Sequence, residues 1–444
     1  MTPVSRTITT VRRNEILDAL RRGTVPGNRL DSFAVGLSHL EPTLNEELER
    51  TSSSGSQFKA VRGEYGCGKT FFARWIAEKA RQFRFVTAEV QISETETPLH
   101  RLETVYRRIA ECMLTCSGEP GGFRNSIDGW FYVLEQDVLA EGDVDPEDED
   151  LLMQRTNDLL EKRLSRITAT APTFSMALRG YRRFQAEGNT AFADAIMNWL
   201  AGQPNVAAAA KREAGIRGEI DHMGALTFLQ GVLALLKDSG QAGLLLVLDE
   251  LETIQRVRSD IRDKSLNALR QILDEIDRGR FPGLYLVVTG TQSFFEGPQG
   301  VQRLPPLAQR LHVHFDTDTR FDNPRAVQIR LTPFDQERLF LVGQRIRDIF
   351  ATHCRNADRI NRLCGDDYVR RFATAVCGQL GGKVGMAPRV FLKKLVDEVL
   401  DRIDLYPDFL PERDHEVKIS DSELTDLERA SRGANDVNNI ELDL

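Results

Sequence analysis

Residues 63–70 decide the fold, because they form a complete G-x-x-x-x-G-K-[ST] pattern: Gly63-Glu64-Tyr65-Gly66-Cys67-Gly68-Lys69-Thr70. A short strand-like segment, Phe58 to Arg62, precedes the pattern, and a helix-like stretch with Phe72, Ile76 and Ala80 on one face follows it. A loop between a strand end and a helix start presents backbone N–H groups and the helix dipole to an anion. The motif therefore predicts a phosphate-binding loop.

The side chains of the loop suit a magnesium-bound nucleoside triphosphate. The three glycines permit a tight backbone path and a close approach to phosphate oxygens. Lys69 is expected to reach the β- and γ-phosphates, and Thr70 is expected to place its hydroxyl on Mg²⁺. The predicted cofactor-binding segment runs from Gly63 to Phe71, with ATP and Mg²⁺ as the cofactors.

A second motif supplies acids at the end of an apolar run: Leu244-Leu245-Leu246-Val247-Leu248-Asp249-Glu250. Such a run is typical of a strand buried on both faces of a parallel sheet, and ligands of open α/β sheets bind at the carboxyl ends of the strands. Asp249 is expected to hold Mg²⁺, and Glu250 is expected to polarise an attacking water. The pair favours hydrolysis over nucleotide storage.

A third strand, Leu284 to Val288, runs into Thr289-Gly290-Thr291-Gln292. Polar groups at this strand end are expected to sense the γ-phosphate and to orient water, although a threonine-rich turn explains the pattern equally well.

Composition indicates a protein that stays inside the cell. The chain has 444 residues, which predicts two or three structural units, and its net charge of −8 provides no global basic field for nucleic acid. No stretch approaches the ~20 apolar residues that span a bilayer, and the first residues lack the apolar region of an export signal. Six cysteines in a chain of this length do not indicate a disulfide framework. We expect a cytoplasmic protein with reduced thiols.

Cys67, at a helix N-terminus, should have a lowered pKa, so that its alkylation blocks nucleotide binding.

The patterning divides the chain into units. They are an N-terminal helical segment (1–50), an ATPase core (51–335) that opens with a flexible connector at 51–56, a helical insertion at about 117–225, a helical lid (336–405) and a loosely ordered acidic polar tail (406–444). The predicted fold class is α/β, with a parallel sheet as the core.

The insertion carries basic residues interleaved with aromatic ones: Arg163, Arg166, Arg179, Arg182 and Arg183 with Tyr181 and Phe184. This composition occurs on surfaces that bind nucleic acid, and it also occurs on ordinary charged helix faces. The sequence favours the charged face and leaves direct DNA binding as an open alternative.

Several stretches carry a family resemblance: Arg22-Gly23-Thr24-Val25-Pro26 with Ala34-Val35-Gly36, Val61 to Gly66, Pro98 to Tyr106, Leu248 to Thr253, Thr289-Gly290-Thr291 and Ala387 to Leu392. The order of motifs resembles that of AAA+ P-loop ATPases. The stretches are more similar still to the ATP-binding proteins of bacteriophage exclusion (BREX) systems, the BrxC/BrxD-type family. The resemblance spans residue 22 to about residue 400.

The resemblance implies roles for individual residues. Val35 and Gly36 would line the adenine pocket. Thr291 would stand at the first sensor position, where many AAA+ proteins have asparagine, and Arg389 would be the second sensor arginine that reaches the nucleotide.

The resemblance also implies an oligomer. Arg310 sits where a finger would project into a neighbouring subunit's site, and Arg320 and Arg325 are alternatives for that role. A finger acting in trans requires a homo-oligomer, and other defence-system proteins would be the partners, with no membrane involved.

The resulting hypothesis is an ATP-hydrolysing AAA+ switch or motor in bacterial defence against phage. Two alternatives remain open at this stage. One is a nucleotide-gated scaffold or DNA-binding regulatory protein with little turnover, and the other is a small-molecule kinase that uses the same loop.

Overall fold

A five-stranded parallel sheet forms the centre of the computed structural model, which describes residues 8–145, 147–379 and 387–423. The strand order is β2-β3-β4-β1-β5, with bounds β1 (Gln57–Arg62), β2 (Phe85–Gln91), β3 (Gly243–Asp249), β4 (Leu284–Gly290) and β5 (Gln328–Arg330). Every residue of β3 and β4 is buried, because helices cover both faces of the sheet. The predicted α/β class with a parallel sheet is confirmed.

The N-terminal segment folds into two helices, α1 (Thr10–Arg21) and α2 (Glu41–Ser52). The connector predicted at 51–56 is wrong for its first two residues. Thr51 is buried within the last turn of α2, and its hydroxyl donates a hydrogen bond to the carbonyl of Glu47 at 2.8 Å. The bond satisfies the buried hydroxyl of Thr51 inside the helix.

A buried ion pair anchors α2 to the sheet. The Nζ of Lys59 on β1 lies 2.7 Å from one carboxylate oxygen of Glu47, and the hydroxyl of Tyr285 on β4 donates to the other oxygen at 2.5 Å. The Lys59 ammonium also donates to the carbonyls of Pro324 and Ala326. Charges this deeply buried require such full pairing.

Eight helices and strand β2 lie between β1 and β3 in the described part of the chain. The helices are α3 (Lys69–Gln82), α4 (Leu102–Cys112), α5 (Gly122–Ala140), α6 (Glu149–Thr170), α7 (Pro172–Ala186), α8 (Thr190–Leu200), α9 (Ala208–Glu213) and α10 (His222–Asp238). The ring of Phe228 on α10 meets Tyr106, Phe174 and Trp199 edge to face at centroid distances of 5.9, 5.3 and 5.3 Å. Helices α4 to α10 share one hydrophobic core with a face of the sheet.

The C-terminal helices build a second core on the other face of the sheet, together with α1 and α3. After α11 (Ser259–Asp277), α12 (Gln292–Glu296) and α13 (Pro305–Leu311) come α14 (Gln336–Ala351), α15 (Ala357–Leu363), α16 (Asp366–Gln379), α17 (Ala387–Lys394), α18 (Asp401–Leu405) and α19 (Pro411–Asp414). A π-helical segment, Leu395–Leu400, joins α17 to α18.

The prediction of a loosely ordered tail is wrong for residues 406–423. His415 Nε2 lies 2.9 Å from a carboxylate oxygen of Glu398, Lys394 Nζ lies 2.8 Å from one of Glu423, and Ile419 is buried. Composition alone missed these contacts, because the partners of the polar side chains lie on helices earlier in the chain. Residues 424–444 lie outside the described part.

Within the described ranges, none of the helices combines the length and the apolar composition that crossing a membrane requires.

Candidate nucleotide site

A cavity of about 840 Å³ lies at the carboxyl ends of the strands, between the N-terminal segment, the glycine-rich loop and the C-terminal helices. We call it the central cavity. Its walls include Val35 and Gly36, the loop from Tyr65 to Phe71, Asp249 and Glu250, and Arg389 on α17. Cavities of this size are typical of small-molecule and cofactor sites. The structure thus brings most of the predicted binding residues to one place.

The loop needs its glycines. Gly66 and Gly68 have φ angles of +80° and +96°, in the left-handed region that side chains disfavour. At Gly63 the constraint is space, because an added Cβ would lie 2.3 Å from the Sγ of Cys67. Gly63 and Glu64 do not contribute to the cavity walls, but they hold Lys69 in position. Their carbonyl oxygens accept hydrogen bonds from Lys69 Nζ at 2.9 and 3.4 Å.

The ammonium of Lys69 lies at the base of the cavity. Besides its two carbonyl contacts, Nζ lies 4.9 Å from the ring centroid of Tyr65 and 3.5 Å from a carboxylate oxygen of Glu252. The side chain is almost fully buried. A buried, fixed cation beside exposed loop amides is suited to a phosphate group.

Thr70 and Asp249, the two predicted magnesium ligands, are in contact. Thr70 Oγ1 lies 3.1 Å from Asp249 Oδ2. One hydroxyl and one carboxylate suit Mg²⁺ that is held mainly by nucleotide phosphates and water. The part of the chain that the structure describes has no group of three or more His, Cys, Asp or Glu that could hold a metal unaided. The donor set therefore fits a metal that arrives with a nucleotide.

Glu250 has an unusual backbone and a defined side-chain partner. Its φ angle is +61°, which is uncommon for a non-glycine residue and often marks a functional position. Gln91 Nε2 donates to the carboxylate at 2.8 Å. Sequence reasoning missed Gln91, because only the pairing of Gln91 with Asp249 at the ends of β2 and β3 shows that the residues are neighbours.

The predicted sensor residue Thr291 does not contribute to the walls of the central cavity, and its role stays a prediction. The Thr291 hydroxyl accepts a hydrogen bond from Phe294 N at 3.3 Å and caps α12. Thr289, two residues earlier, donates to Asp249 and accepts from Glu250 N. β4 continues to Gly290, so Thr289 is the residue that faces the carboxyl end of β3. Thr289 is thus the threonine that contacts the Asp249–Glu250 pair.

The predicted reactive thiol at Cys67 is wrong. Cys67 is buried, and burial raises its pKa to about 11, although the nearby Lys69 charge opposes the shift. Desolvation disfavours a thiolate more than the loop and its helix stabilise one. The Cys67 thiol is therefore protonated at neutral pH.

Apolar groups line part of the cavity wall. Val35 and Gly36 lie there with Phe33, whose ring meets that of Phe71 edge to face at a centroid distance of 5.4 Å. Gly36 packs near Arg338, where an added Cβ would lie 3.5 Å from the guanidinium. A flat apolar ring system fits such surroundings.

The predicted finger and its alternatives lie in different places. Arg310 on α13 is held by its own chain, since it pairs with Asp274 and, at 3.2 Å, with Asp277, and it does not contribute to the cavity walls. Arg320 lies at the cavity wall and pairs with Asp318, whereas Arg325 pairs with Glu46.

The basic residues of the insertion are largely paired with acids: Arg163 with Asp137 and Asp238, Arg179 with Glu161, and Arg182 with Glu135. Tyr181 and Phe184 are buried in the helical core. The rings are therefore unavailable to stack on bases, and the arrangement supports the charged-face interpretation.

Besides Gln91 and Thr289, two more residues of the site had no role of their own in the sequence prediction. Arg256 lines the cavity on the turn after β3, and Glu252 on the same turn is buried beside Lys69. Sequence spacing could not place Glu252, because Glu250, with a φ angle of +61°, separates strand β3 from the turn that carries Glu252.

The five-stranded parallel sheet defines an α/β protein whose architecture is consistent with a P-loop-type fold. The family model described as BREX system ATP-binding protein BrxC/D matches residues 8–418, and the chain belongs to this family. The resemblance of the sequence to BREX ATP-binding proteins is thereby confirmed. A comparison with curated proteins returns no significant match.

Proposed function

We propose that the chain is a magnesium-dependent ATPase with a P-loop, AAA+-type core that acts as a switch or motor in BREX defence. The observation that carries the proposal is the convergence of Lys69, Thr70 and Asp249 in one cavity. The family description supports ATP as the nucleotide.

Binding would use groups that the fold already places. The loop amides and Lys69 would hold the phosphates, and the apolar part of the wall near Val35 and Gly36 would take the base. Thr70 and Asp249 would hold Mg²⁺, which supplies positive charge next to the β- and γ-phosphate oxygens when bound.

Hydrolysis would depend on Glu250. Its carboxylate lies at the cavity wall, and Gln91 binds only one of its two oxygens. The other oxygen is available to accept a proton from an attacking water. Arg389 would stabilise the charge that develops on the phosphates, since it lies at the cavity wall on α17.

The arrangement of the units supports the AAA+ assignment. β1 and its loop lie between β4 and β5, and helices α14 and α17 close the cavity from the C-terminal side. We propose 51–335 as the ATPase core and 336–405 as the lid. Assembly into a homo-oligomer, with Arg310 or one of its alternatives acting in trans, is part of the same proposal.

Steady-state release of inorganic phosphate tests the activity. Wild type should release phosphate from Mg·ATP without an added acceptor, and Glu250→Gln should bind ATP but turn it over at least about a hundredfold more slowly. Release without an acceptor would also exclude the kinase. If wild type binds Mg·ATP and releases no phosphate, hydrolysis is refuted, and the nucleotide-gated scaffold and the small-molecule kinase remain.

A further inference from the structure

Glu252 is a buried carboxylate that the proposed mechanism does not use. It lies on the 3₁₀ turn Leu251–Arg256 after β3, and its exposed fraction is 4%. Neither carboxylate oxygen makes a hydrogen bond to any residue that the structure describes. Buried carboxylates are normally satisfied by donors, so an unsatisfied one at the wall of a ligand cavity needs an explanation.

Lys69 is the one cation in close contact with Glu252 among the described residues, with Nζ 3.5 Å from Oε1. Besides burial, the charges of Asp249 and Glu250 raise the pKa of Glu252. Besides its own burial, the charge of Glu252 raises the pKa of Tyr65. Burial raises the pKa of Glu252, and the charge of Lys69 opposes that shift. The lysine is thus the main favourable partner of this carboxylate.

The other two carboxylates of the site have different partners. Asp249 accepts hydrogen bonds from Thr70 and Thr289, and Glu250 accepts one from Gln91. Of the three, Glu252 is the one whose charge is balanced by Lys69. The same ammonium is the group expected to contact the terminal phosphates.

We propose, on the basis of the ATPase function argued above, that Glu252 is a positioning residue that holds Lys69 in the nucleotide-free protein and thereby limits its affinity for the triphosphate. Binding requires the phosphates to compete with a buried carboxylate for the lysine. In return, the carboxylate prevents a buried cation from lacking a counter-ion while the cavity contains no nucleotide.

The direct test compares Glu252→Gln with wild type in calorimetric titrations with a non-hydrolysable ATP analogue and Mg²⁺. The neutral amide should release Lys69 and lower the Kd by about tenfold. Asp238→Asn is the matched control, because Asp238 also pairs with a cation, Arg163 at 3.0 Å, but neither residue contributes to the cavity walls. It should change the Kd by less than about threefold.

Three further measurements separate this role from a merely structural one. Glu252→Asp keeps the charge and should keep the Kd within about threefold of wild type. In turnover assays, Glu252→Gln should lower KM for ATP and leave kcat unchanged. In a Lys69→Met background, Glu252→Gln should lose its effect on the Kd. Thermal unfolding of each variant verifies that it is folded.

The outcomes distinguish this inference from the ATPase proposal. If wild type itself binds no nucleotide, the proposed function fails. Three results would overturn the role of Glu252 as counter-ion while the ATPase proposal stands, provided that wild type binds the nucleotide. The Glu252→Gln variant could bind the nucleotide as tightly as wild type or more weakly, or it could have a lower kcat. The substitution could also lower the Kd equally in the Lys69→Met background. If Glu252→Gln does not fold, the Kd of Glu252→Asp decides. A Kd that differs from the wild-type value by more than about threefold overturns the counter-ion role as well.

Discussion

The hydroxyl of Thr70 lies 3.1 Å from a carboxylate oxygen of Asp249, although 179 positions separate the two residues in the chain. Thr70 lies in the first turn of α3 and Asp249 ends β3, so the contact depends on the sheet order that brings the two elements together. A hydroxyl and a carboxylate at this distance can bind the same divalent cation.

Replacing Asp249 with asparagine should uncouple nucleotide binding from magnesium. The amide keeps the shape but removes the negative charge that we assign to the metal, so the affinity for Mg·ATP should fall by at least about tenfold. Titration with a fluorescent ATP analogue, in Mg²⁺ and in excess EDTA, measures the effect. An equal loss of affinity with and without Mg²⁺ would argue against the assignment.

Two neighbouring threonines should differ in their effects. Thr289→Val removes the hydrogen bond to Asp249 and should lower the ATP turnover rate by about tenfold or more. Thr291→Val removes the cap of α12, so it should lower the free energy of unfolding by about 1 kcal/mol and leave turnover within about twofold of wild type. Turnover assays and urea unfolding of both variants provide the comparison. The reverse pattern would favour Thr291 as the sensor.

Alkylation should spare Cys67. Its pKa is raised to about 11 by burial, so the reactive thiolate is scarce below that pH, whereas Cys112 is exposed. Iodoacetamide at pH 7.5 should modify Cys112 at least about tenfold faster than Cys67, as measured by peptide mass spectrometry over time. Faster labelling of Cys67 would mean that the loop opens readily or that its thiol is activated after all.

Arg310→Ala should abolish ATP turnover and leave ATP binding intact if Arg310 acts in trans. Its present partners, Asp274 and Asp277, would have to release it on assembly. Mixing inactive Arg310→Ala with inactive Lys69→Ala protein should then restore part of the activity, because each subunit supplies what the other lacks. Normal turnover by Arg310→Ala would move the assignment to Arg320 or Arg325.

Lys59→Met should destabilise the fold by about 3 kcal/mol, because it leaves the Glu47 carboxylate buried without its cation. The double variant Lys59→Met/Glu47→Leu should recover part of the loss. Arg325→Ala is the control, since its pair with Glu46 is exposed and should contribute less than about 1 kcal/mol. Urea unfolding measures all three. Equal stability of Lys59→Met and wild type would contradict the importance of the pair.

Local sequence patterns were sufficient for the elements that carry the site. The strand, loop and helix around Lys69 and the apolar strand before Asp249 follow from spacing alone, because each signal lies within about ten residues. The adjacency of the two motifs at the carboxyl edge follows from the rule for parallel sheets.

Features that depend on distant neighbours could not be predicted in the same way. The role of Gln91 requires knowing that β2 pairs with β3, and the choice between Thr289 and Thr291 depends on where β4 ends. The burial that raises the pKa of Cys67 is set by packing around the whole loop. Residues 406–423 are ordered by helices that precede them in the chain.

Calorimetric titration of the wild-type protein with Mg·ATP, beside Lys69→Ala as control, tests the central claim most directly. We predict saturable binding of one nucleotide per chain in the wild type and a loss of affinity of at least about tenfold in the variant. Absence of heat in the wild type at saturating Mg·ATP, or equal binding by both proteins, would contradict the assignment of the central cavity as a nucleotide site.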